Sequence, residues 1–142
     1  MTFQVVFSVE GNPQGKGRPR FARRGNFVQT YTDTKTLTYE NLIKAAAMLS
    51  MGASEPLETP VSVYLYARMP IPKSYSKKRR EACLSGLERP IKKPDVDNIA
   101  KAFLDSMNNV VYLDDTQVVS LHSTKVYSAV PGVDVMVREE LA

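Results

Sequence analysis

The sequence predicts a mixed α/β (α+β) fold in which helices pack on one β-sheet. Three segments alternate apolar and polar residues, as half-buried strands do, and two longer segments carry apolar residues at helical spacing. At 142 residues the chain is long enough for one hydrophobic core and little more. We therefore expect a single domain over residues 1–142, with the element order β-(β)-α-β-α-α-β-β.

The first half of the chain predicts strands around one helix. The opening strand places four apolar residues on one side: Phe3, Val5, Phe7 and Val9. Residues 11–25 are rich in glycine and basic residues and predict a mobile loop, followed by a short strand at 27–30. A helix capped by Thr32 or Thr34 then repeats apolar residues at helical spacing: Tyr39, Leu42, Ile43, Ala46 and Leu49. The next strand alternates from residue 61 to 67 and ends at Pro70.

The second half predicts two helices and then strands. Residues 76–85 predict a short basic helix that ends at Gly86. Pro94 excludes helix for Lys93, so the next helix begins at Asp95 or just after it. Its apolar stripe consists of Ile99, Ala102, Phe103 and Met107. Residues 110–113, 118–127 and 133–137 predict strands, with Asp114 and Asp115 at a bend between the first two.

Positive charge is concentrated in two segments of this chain, whose net charge is +4. One lies within residues 16–24 and the other within residues 73–93. Such clusters favour a phosphate backbone as partner, and no long apolar run or basic amphipathic helix indicates a membrane. The arginines of the first cluster also fit a solvated loop, but Phe21 and Phe27 among them favour stacking on DNA bases. For Lys77–Arg80, on a short helix within the second cluster, a solvated face and a phosphate grip are equally good interpretations.

Cysteine and histidine are nearly absent. Cys83 and His122 are the single residues of their types, which disfavours both a disulfide framework and a zinc site. Because Cys83 is alone, we expect a reducing cytoplasm, and the N-terminus shows no secretion signal. His122 is interpreted as a surface or satisfied residue of a strand.

Five aspartates lie close together in this otherwise basic chain: Asp95, Asp97, Asp105, Asp114 and Asp115. Taken separately, the first two read as helix caps and the last two as a polar turn. Together they repel one another, and a hard divalent cation such as Mg²⁺ or Mn²⁺ would relieve this repulsion. The sequence allows the chain to return along the helix and bring the two pairs together, but does not require it.

Lys101 follows Asp97 by one helical turn. An ordinary ion pair between the two side chains is one interpretation. The other places the Lys101 ammonium near bound metal and a scissile phosphate, where it would stabilise transition-state charge or orient the attacking water.

The run Lys93-Pro94-Asp95-Val96-Asp97-Asn98, with Lys101 and Asp105, then Asp114-Asp115 and Gln117-Val118, closely resembles the RusA-type Holliday-junction resolvases of phages and prophages. The resemblance implies a homodimeric α/β endonuclease that requires magnesium or Mn²⁺ and makes paired nicks in four-way DNA junctions. It also implies the cytoplasm of a bacterial host, no membrane and no nucleotide cofactor. Carried over by position, Asp95, Asp97 and Asp115 resemble the metal-binding carboxylates, Asp114 an additional ligand, and Lys101 the essential basic residue.

Residues expected to contact DNA precede this signature or stand at its start: Lys16, Arg18, Arg20, Arg23, Arg24, Lys92 and Lys93. The chain departs from compact family members in its Gly/Arg-rich loop and in a basic insertion at residues 71–92. Tyr64 and Tyr66 point outward from a strand, towards a dimer interface or a second core face.

The alternatives to a junction resolvase are a metal-dependent nuclease for flaps, forks or loops, and a catalytically silent DNA-binding protein. A calcium module is weaker, since no Gly-centred loop ends in Glu.

Overall fold

The computed structural model describes residues 3–17, 20–31 and 33–141. Its elements, in chain order, are β1 (Gln4–Glu10), β2 (Arg20–Arg24), β3 (Phe27–Tyr31), α1 (Thr34–Met51), β4 (Val61–Pro70), α2 (Lys77–Ser85), α3 (Val96–Ser106), a 3₁₀ helix (Asp115–Gln117), β5 (Val118–Ser128) and β6 (Gly132–Glu139). Four strands form one sheet in the order β1-β6-β4-β5, and β2 pairs with β3 in a separate hairpin. Within the sheet β4 and β5 are parallel, whereas β6 runs antiparallel to both β1 and β4. The mixed α+β class predicted from the sequence is confirmed.

The core lies between one face of the sheet and the helices α1 and α3. Alternate residues of β1, β4 and β6 are buried against these helices, as the period of a strand requires. From the helices, Ile43, Ile99 and Phe103 are completely buried, and the rings of Tyr39 and Phe103 meet edge to face at 5.9 Å. The predicted stripe on α3 is confirmed, since Ile99, Ala102, Phe103 and Met107 are all buried. This packing fixes the position of α3 over the sheet.

Helix α1 differs from its prediction in its cap and its buried face. Asp33 is the N-cap, and its side chain accepts a hydrogen bond from the Thr36 amide at 2.8 Å. The prediction of a cap at Thr34 was therefore wrong, because the carboxylate one position earlier fills that role, and Thr32 lies outside the described residues. Leu42 and Leu49 are exposed, because the buried stripe follows steps of four residues: Tyr39, Ile43, Ala47 and Met51.

Two other segments also differ from prediction. Within the predicted loop 11–25, residues 20–24 form β2, which turns through Gly25, at φ 60°, into β3. A Gly-Asn pair between two short runs is a known hairpin signal, and it could have identified this turn. Residues 110–113 were predicted as a strand, but Tyr112 makes only isolated bridges, to Leu57 and Asn108. The left-handed φ of 63° at Asn109 turns the chain there and prevents a regular ladder.

Helix α2 confirms its prediction. The Ser76 hydroxyl caps it by accepting a hydrogen bond from the Arg79 amide, and Gly86 ends it in the left-handed conformation, at φ 85°. None of the helices within the described ranges is long and apolar enough to span a membrane.

Candidate functional site

The N-terminus of α3 presents two exposed carboxylates. Asp95 is the N-cap residue, in extended backbone conformation, yet its side chain makes no capping hydrogen bond. Asp97 lies in the first turn, where the helix dipole favours negative charge. In the described part of the chain neither carboxylate takes part in an ion pair. Capping therefore does not account for Asp95, and both side chains are available to a ligand.

Strand β5 holds the chain that leads into α3. The Lys125 Nζ donates to the Lys92 and Pro94 carbonyl oxygens at 2.7 and 3.1 Å. Two residues earlier in the strand, the Ser123 hydroxyl donates to the Val96 carbonyl at 2.9 Å. These contacts fix the backbone on both sides of Asp95. Sequence reasoning missed both residues, since nothing in a polar strand sequence identifies carbonyl partners some thirty residues away.

Asp114 serves mainly as the cap of the 3₁₀ helix. Its Oδ2 accepts hydrogen bonds from the Thr116 hydroxyl at 2.6 Å and from the Thr116 amide at 3.2 Å. These bonds hold the pKa of the Asp114 carboxyl below its usual range.

Gln117 fixes the same turn from its other end. Its side-chain oxygen completes a capping box by accepting a hydrogen bond from the Asp114 amide, and its side-chain NH₂ group donates to the carbonyls of Leu57 and Thr59. The capping box fixes the turn so that Asp115, which follows directly, is half-buried and makes no ion pair within the described residues.

Tyr112 brings this turn back to α3. The tyrosine is fully buried, and its hydroxyl donates to the Leu104 carbonyl, near the end of α3, at 2.7 Å. Burial and the nearby carboxylates of Asp115, Asp105 and Asp114 raise the pKa of Tyr112. The chain after Asn109 therefore returns along α3, and Asp115 lies near its second half. Asp95 and Asp97 lie at the other end of the same helix.

Ion pairs among four charged side chains link the N-terminal loop to α1 and α3. The four are Lys16, Glu40, Asp105 and Lys101. The Lys16 Nζ lies 2.7 Å from the Glu40 Oε2 and 3.4 Å from the Asp105 Oδ2. The same Asp105 oxygen lies 3.7 Å from the Lys101 Nζ. Burial lowers the pKa of Lys16, but hydrogen bonds and charge interactions with Glu40 and Asp105 outweigh this effect, so its pKa is raised. Lys101 thus pairs with Asp105, one turn further along α3, and the sequence had not assigned Asp105 a role.

The loop around Lys16 also contacts the helix directly. The Lys16 amide donates to the Asn98 carbonyl at 3.0 Å. A Cβ added to Gly15 would lie 2.9 Å from the Asn98 Cβ, so only glycine permits this close approach. Between this loop, the start of α1 and Lys93-Pro94 lies a cleft of about 320 Å³. Pro94, which lines this cleft, directly precedes Asp95 in the chain.

The predicted DNA-contacting residues differ in their exposure and in their contacts within the chain. Lys92 and Lys93 are exposed beside the entry to α3, and Arg23 is exposed on β2. Lys16 is engaged in its two ion pairs. Arg18 lies outside the described residues, and of Arg20 and Arg24 the structure describes only the backbone, in β2.

The donor set fits a hard divalent cation, because Asp95, Asp97 and Asp115 offer carboxylate oxygens without competing ion pairs in the described chain. Over the described residues, however, no three acidic, histidine or cysteine side chains are grouped closely enough to hold one ion together. Mg²⁺ keeps several waters and uses only one or two protein carboxylates, so Asp95 and Asp97, two residues apart at the start of α3, are sufficient in number. His122 lies elsewhere, stacked on Tyr64 at 4.7 Å, and Cys83 is buried.

Comparison with known proteins agrees with the resemblance seen in the signature. The family described as Endodeoxyribonuclease RusA matches residues 10–138, which include every carboxylate and lysine of the site. The chain is also 40% identical over 138 residues to the uncharacterized protein YqaN of Bacillus subtilis (strain 168), covering 95% of this chain and 96% of that protein. A match of this extent includes the strands and helices that carry the site. The chain therefore belongs to the RusA family of endodeoxyribonucleases.

Proposed function

We propose that this protein is a Mg²⁺-dependent endonuclease that resolves four-way DNA junctions by paired symmetric nicks, in recombination or repair. The observation that carries the proposal is the arrangement along α3. Asp95 and Asp97 are exposed at one end, Lys101 lies one turn further on, and Tyr112 directs Asp115 towards the second half of the helix. Family membership supplies the class of reaction, and this arrangement supplies residues suited to it.

Asp95 and Asp97 would hold the divalent cation, with Mn²⁺ as a substitute, and the family resemblance adds Asp115 as a third carboxylate, which would have to approach from the second half of α3. When bound, the cation would supply Lewis-acid polarisation of the phosphate and activation of water. Asp114 would contribute by capping the turn rather than as a ligand, because the Thr116 hydroxyl and amide already occupy its Oδ2.

Lys101 would act on the negative charge that develops at the phosphate. Its side chain is 62% exposed, so its ammonium can reach DNA laid along α3. Asp105 holds that ammonium from the C-terminal side of the helix, leaving the Asp97 side free for the phosphate. Lys101 is therefore positioned by Asp105 and is not neutralised by the carboxylates that would bind metal.

Cationic residues beside the site would hold the DNA arms. Lys92 and Lys93 are exposed next to the entry to α3, and Lys93 lines the cleft described above. Contacts of this kind position the backbone without reading sequence, so we expect binding that weakens steeply with salt. Two symmetric nicks require two such sites, and we propose that a homodimer supplies them.

The experiment is nicking of a labelled four-way junction in Mg²⁺, with linear duplex and flap substrates alongside. Asp97→Asn is expected to lower the nicking rate by at least about 100-fold and to retain junction binding, because it removes a metal ligand but no phosphate contact. The matched control is Glu81→Gln, an exposed carboxylate on α2, which should nick at the native rate.

Each alternative has its own outcome. Equal cutting of flaps and junctions would show a nuclease for branched DNA in general. Tight junction binding with no cutting in Mg²⁺ or Mn²⁺ would show a DNA-binding protein whose carboxylates are structural, and would refute the proposed activity.

A further inference from the structure

The loop between α2 and α3, residues 86–95, carries two strongly exposed aliphatic side chains. Ile91 is 93% exposed and Leu87 is 86% exposed, more than any other large apolar side chain that the structure describes. Single exposed residues are normal on a protein surface, but here two lie within five residues of one loop. Neither belongs to the hydrophobic core, so packing within the chain does not account for them.

The backbone of this loop is fixed on both sides of Ile91. Before it, the Arg79 guanidinium on α2 donates to both carboxylate oxygens of Glu88, at 3.0 and 3.1 Å. After it, the Lys125 Nζ on β5 donates to the Lys92 carbonyl at 2.7 Å. A side chain presented from a fixed backbone loses little conformational freedom when it binds a partner. The loop therefore suits an apolar contact made outside the chain.

Cations flank the two aliphatic side chains. Arg89 lies between Leu87 and Ile91 in the chain, Lys93 follows two residues after Ile91, and both cations are exposed. Within the described chain neither of them takes part in an ion pair, whereas the Glu88 carboxylate of the same loop is already paired. Apolar surface bordered by free cations is complementary to DNA, in which phosphates border the faces of the bases.

The loop leads directly into the carboxylates of the site. Asp95 follows Ile91 by four residues, and four residues of chain span at most about 14 Å. Successive bases along one strand of a duplex are about 3.4 Å apart. Ile91 therefore lies no more than about four base steps from a phosphate bound at Asp95, which is close enough to act on the same region of DNA.

We propose that Ile91, supported by Leu87, is a wedge that inserts between bases at the branch point of a DNA junction. The inference takes its substrate from the function proposed above and assigns residues to the recognition of DNA shape. Apolar side chains inserted between base steps unstack them, and this costs least where stacking is already interrupted, as it is at a branch point. The wedge thus favours a junction over linear duplex, while Arg89 and Lys93 hold the adjacent phosphates.

The test places 2-aminopurine, whose fluorescence rises when it is unstacked, at the branch point of a four-way junction. Divalent cations are omitted, so that no strand is cut. The native chain should raise the fluorescence. Ile91→Ser should lose most of this rise and bind the junction about 10-fold more weakly, with its affinity for linear duplex changed by less than about twofold. The matched control is Leu49→Ser on α1, where the native side chain is 84% exposed, and this variant should behave as the native chain does.

Two further variants separate apolar insertion from charge. Ile91→Met keeps an apolar side chain of similar volume and should retain the fluorescence rise. Because Ile91 is uncharged, Ile91→Ser should leave the slope of log Kd against log salt concentration unchanged. Lys93→Met should instead reduce that slope by about 1.

A native chain that leaves the branch-point bases stacked would overturn the proposal. So would an Ile91→Ser variant that unstacks the junction normally, or one that loses affinity for duplex and junction equally. If Ile91→Ser retains native circular dichroism but has a changed mass in sedimentation, the loop belongs to a protein contact instead. Weaker binding of this variant to anionic vesicles would assign the loop to a membrane. A chain that unstacks the branch point but never nicks in Mg²⁺ would refute the proposed nuclease and leave the wedge in place.

Discussion

Replacing Lys16 with methionine removes the ammonium that joins Glu40 on α1 to Asp105 on α3. Methionine keeps most of the apolar stem, so the change deletes charge with little loss of packing. The Glu40 side chain is only 12% exposed and would lose a partner at 2.7 Å. The perturbation therefore leaves a largely buried carboxylate without its cation.

The expected cost follows from this geometry. A hydrogen bond to a charged group contributes about 1.5–3 kcal/mol. The second contact, to Asp105 at 3.4 Å, is more exposed and adds roughly 0.5 kcal/mol. We expect a loss of about 2.5 kcal/mol in the free energy of unfolding, or a fall in Tm of about 8 °C for a chain of this size. Lys44→Met, on the exposed face of α1, should lower Tm by less than about 2 °C.

Thermal unfolding as a function of pH provides the decisive assay. The pKa of Lys16 is raised in the folded protein, so its contribution is fully present below the ordinary lysine value of 10.5. That contribution is lost as the pH rises through the raised value. The difference in stability between the native chain and Lys16→Met should therefore be constant from neutral pH to about 10 and shrink above 10.5.

A double-mutant cycle with Glu40→Gln completes the test. Because both residues belong to one ion pair, the two losses should be less than additive, with a coupling of at least about 1 kcal/mol. The reasoning is refuted if Lys16→Met costs no more than Lys44→Met, or if the two losses simply add.

Three further substitutions probe the supports of the site. Gly15→Ala places a Cβ 2.9 Å from that of Asn98 and should displace the loop, lowering the nicking rate about 10-fold; a native rate would show that the loop can shift at no cost. Tyr112→Phe removes the hydroxyl that donates to the Leu104 carbonyl and should cost about 1 kcal/mol in urea unfolding. Lys125→Met removes two hydrogen bonds to the backbone before α3 and should lower both the nicking rate and stability, the latter by about 2 kcal/mol; unchanged nicking would separate that backbone from catalysis.

The parts of the fold that sequence predicted are those governed by local periodicity. Alternation in Val5, Phe7 and Val9 gives a half-buried strand whatever its neighbours are. The buried stripe of α3 was also predicted correctly from its helical spacing, because that helix buries a broad face. In α1, by contrast, Leu42 and Leu49 fit the helical period but are exposed, since only the stripe from Tyr39 to Met51 meets the sheet and α3. Which apolar residues of a helix are buried depends on its neighbours, which the sequence does not specify.

In the site, too, contacts between residues close in sequence were predicted and contacts made by tertiary packing were not. The signature predicted that Asp95, Asp97 and Lys101 share one end of a helix, because residues so close in sequence have fixed relative positions. It did not predict that Lys16 pairs with Glu40 and Asp105, since these three residues meet only through tertiary packing. The metal-binding role of Asp95, Asp97 and Asp115 stays a prediction.

The pairing of the first strand with the last has a consequence for the order in which the molecule can form. Gln4 pairs with Arg138, and β6 separates β1 from β4 in the sheet. During synthesis β1 has no partner until β6 has been made, and the parallel β4–β5 pair closes only after α2 and α3 have been traversed. Contacts between such distant residues slow folding. In a nascent chain the four-stranded sheet is therefore not complete until translation has passed residue 139.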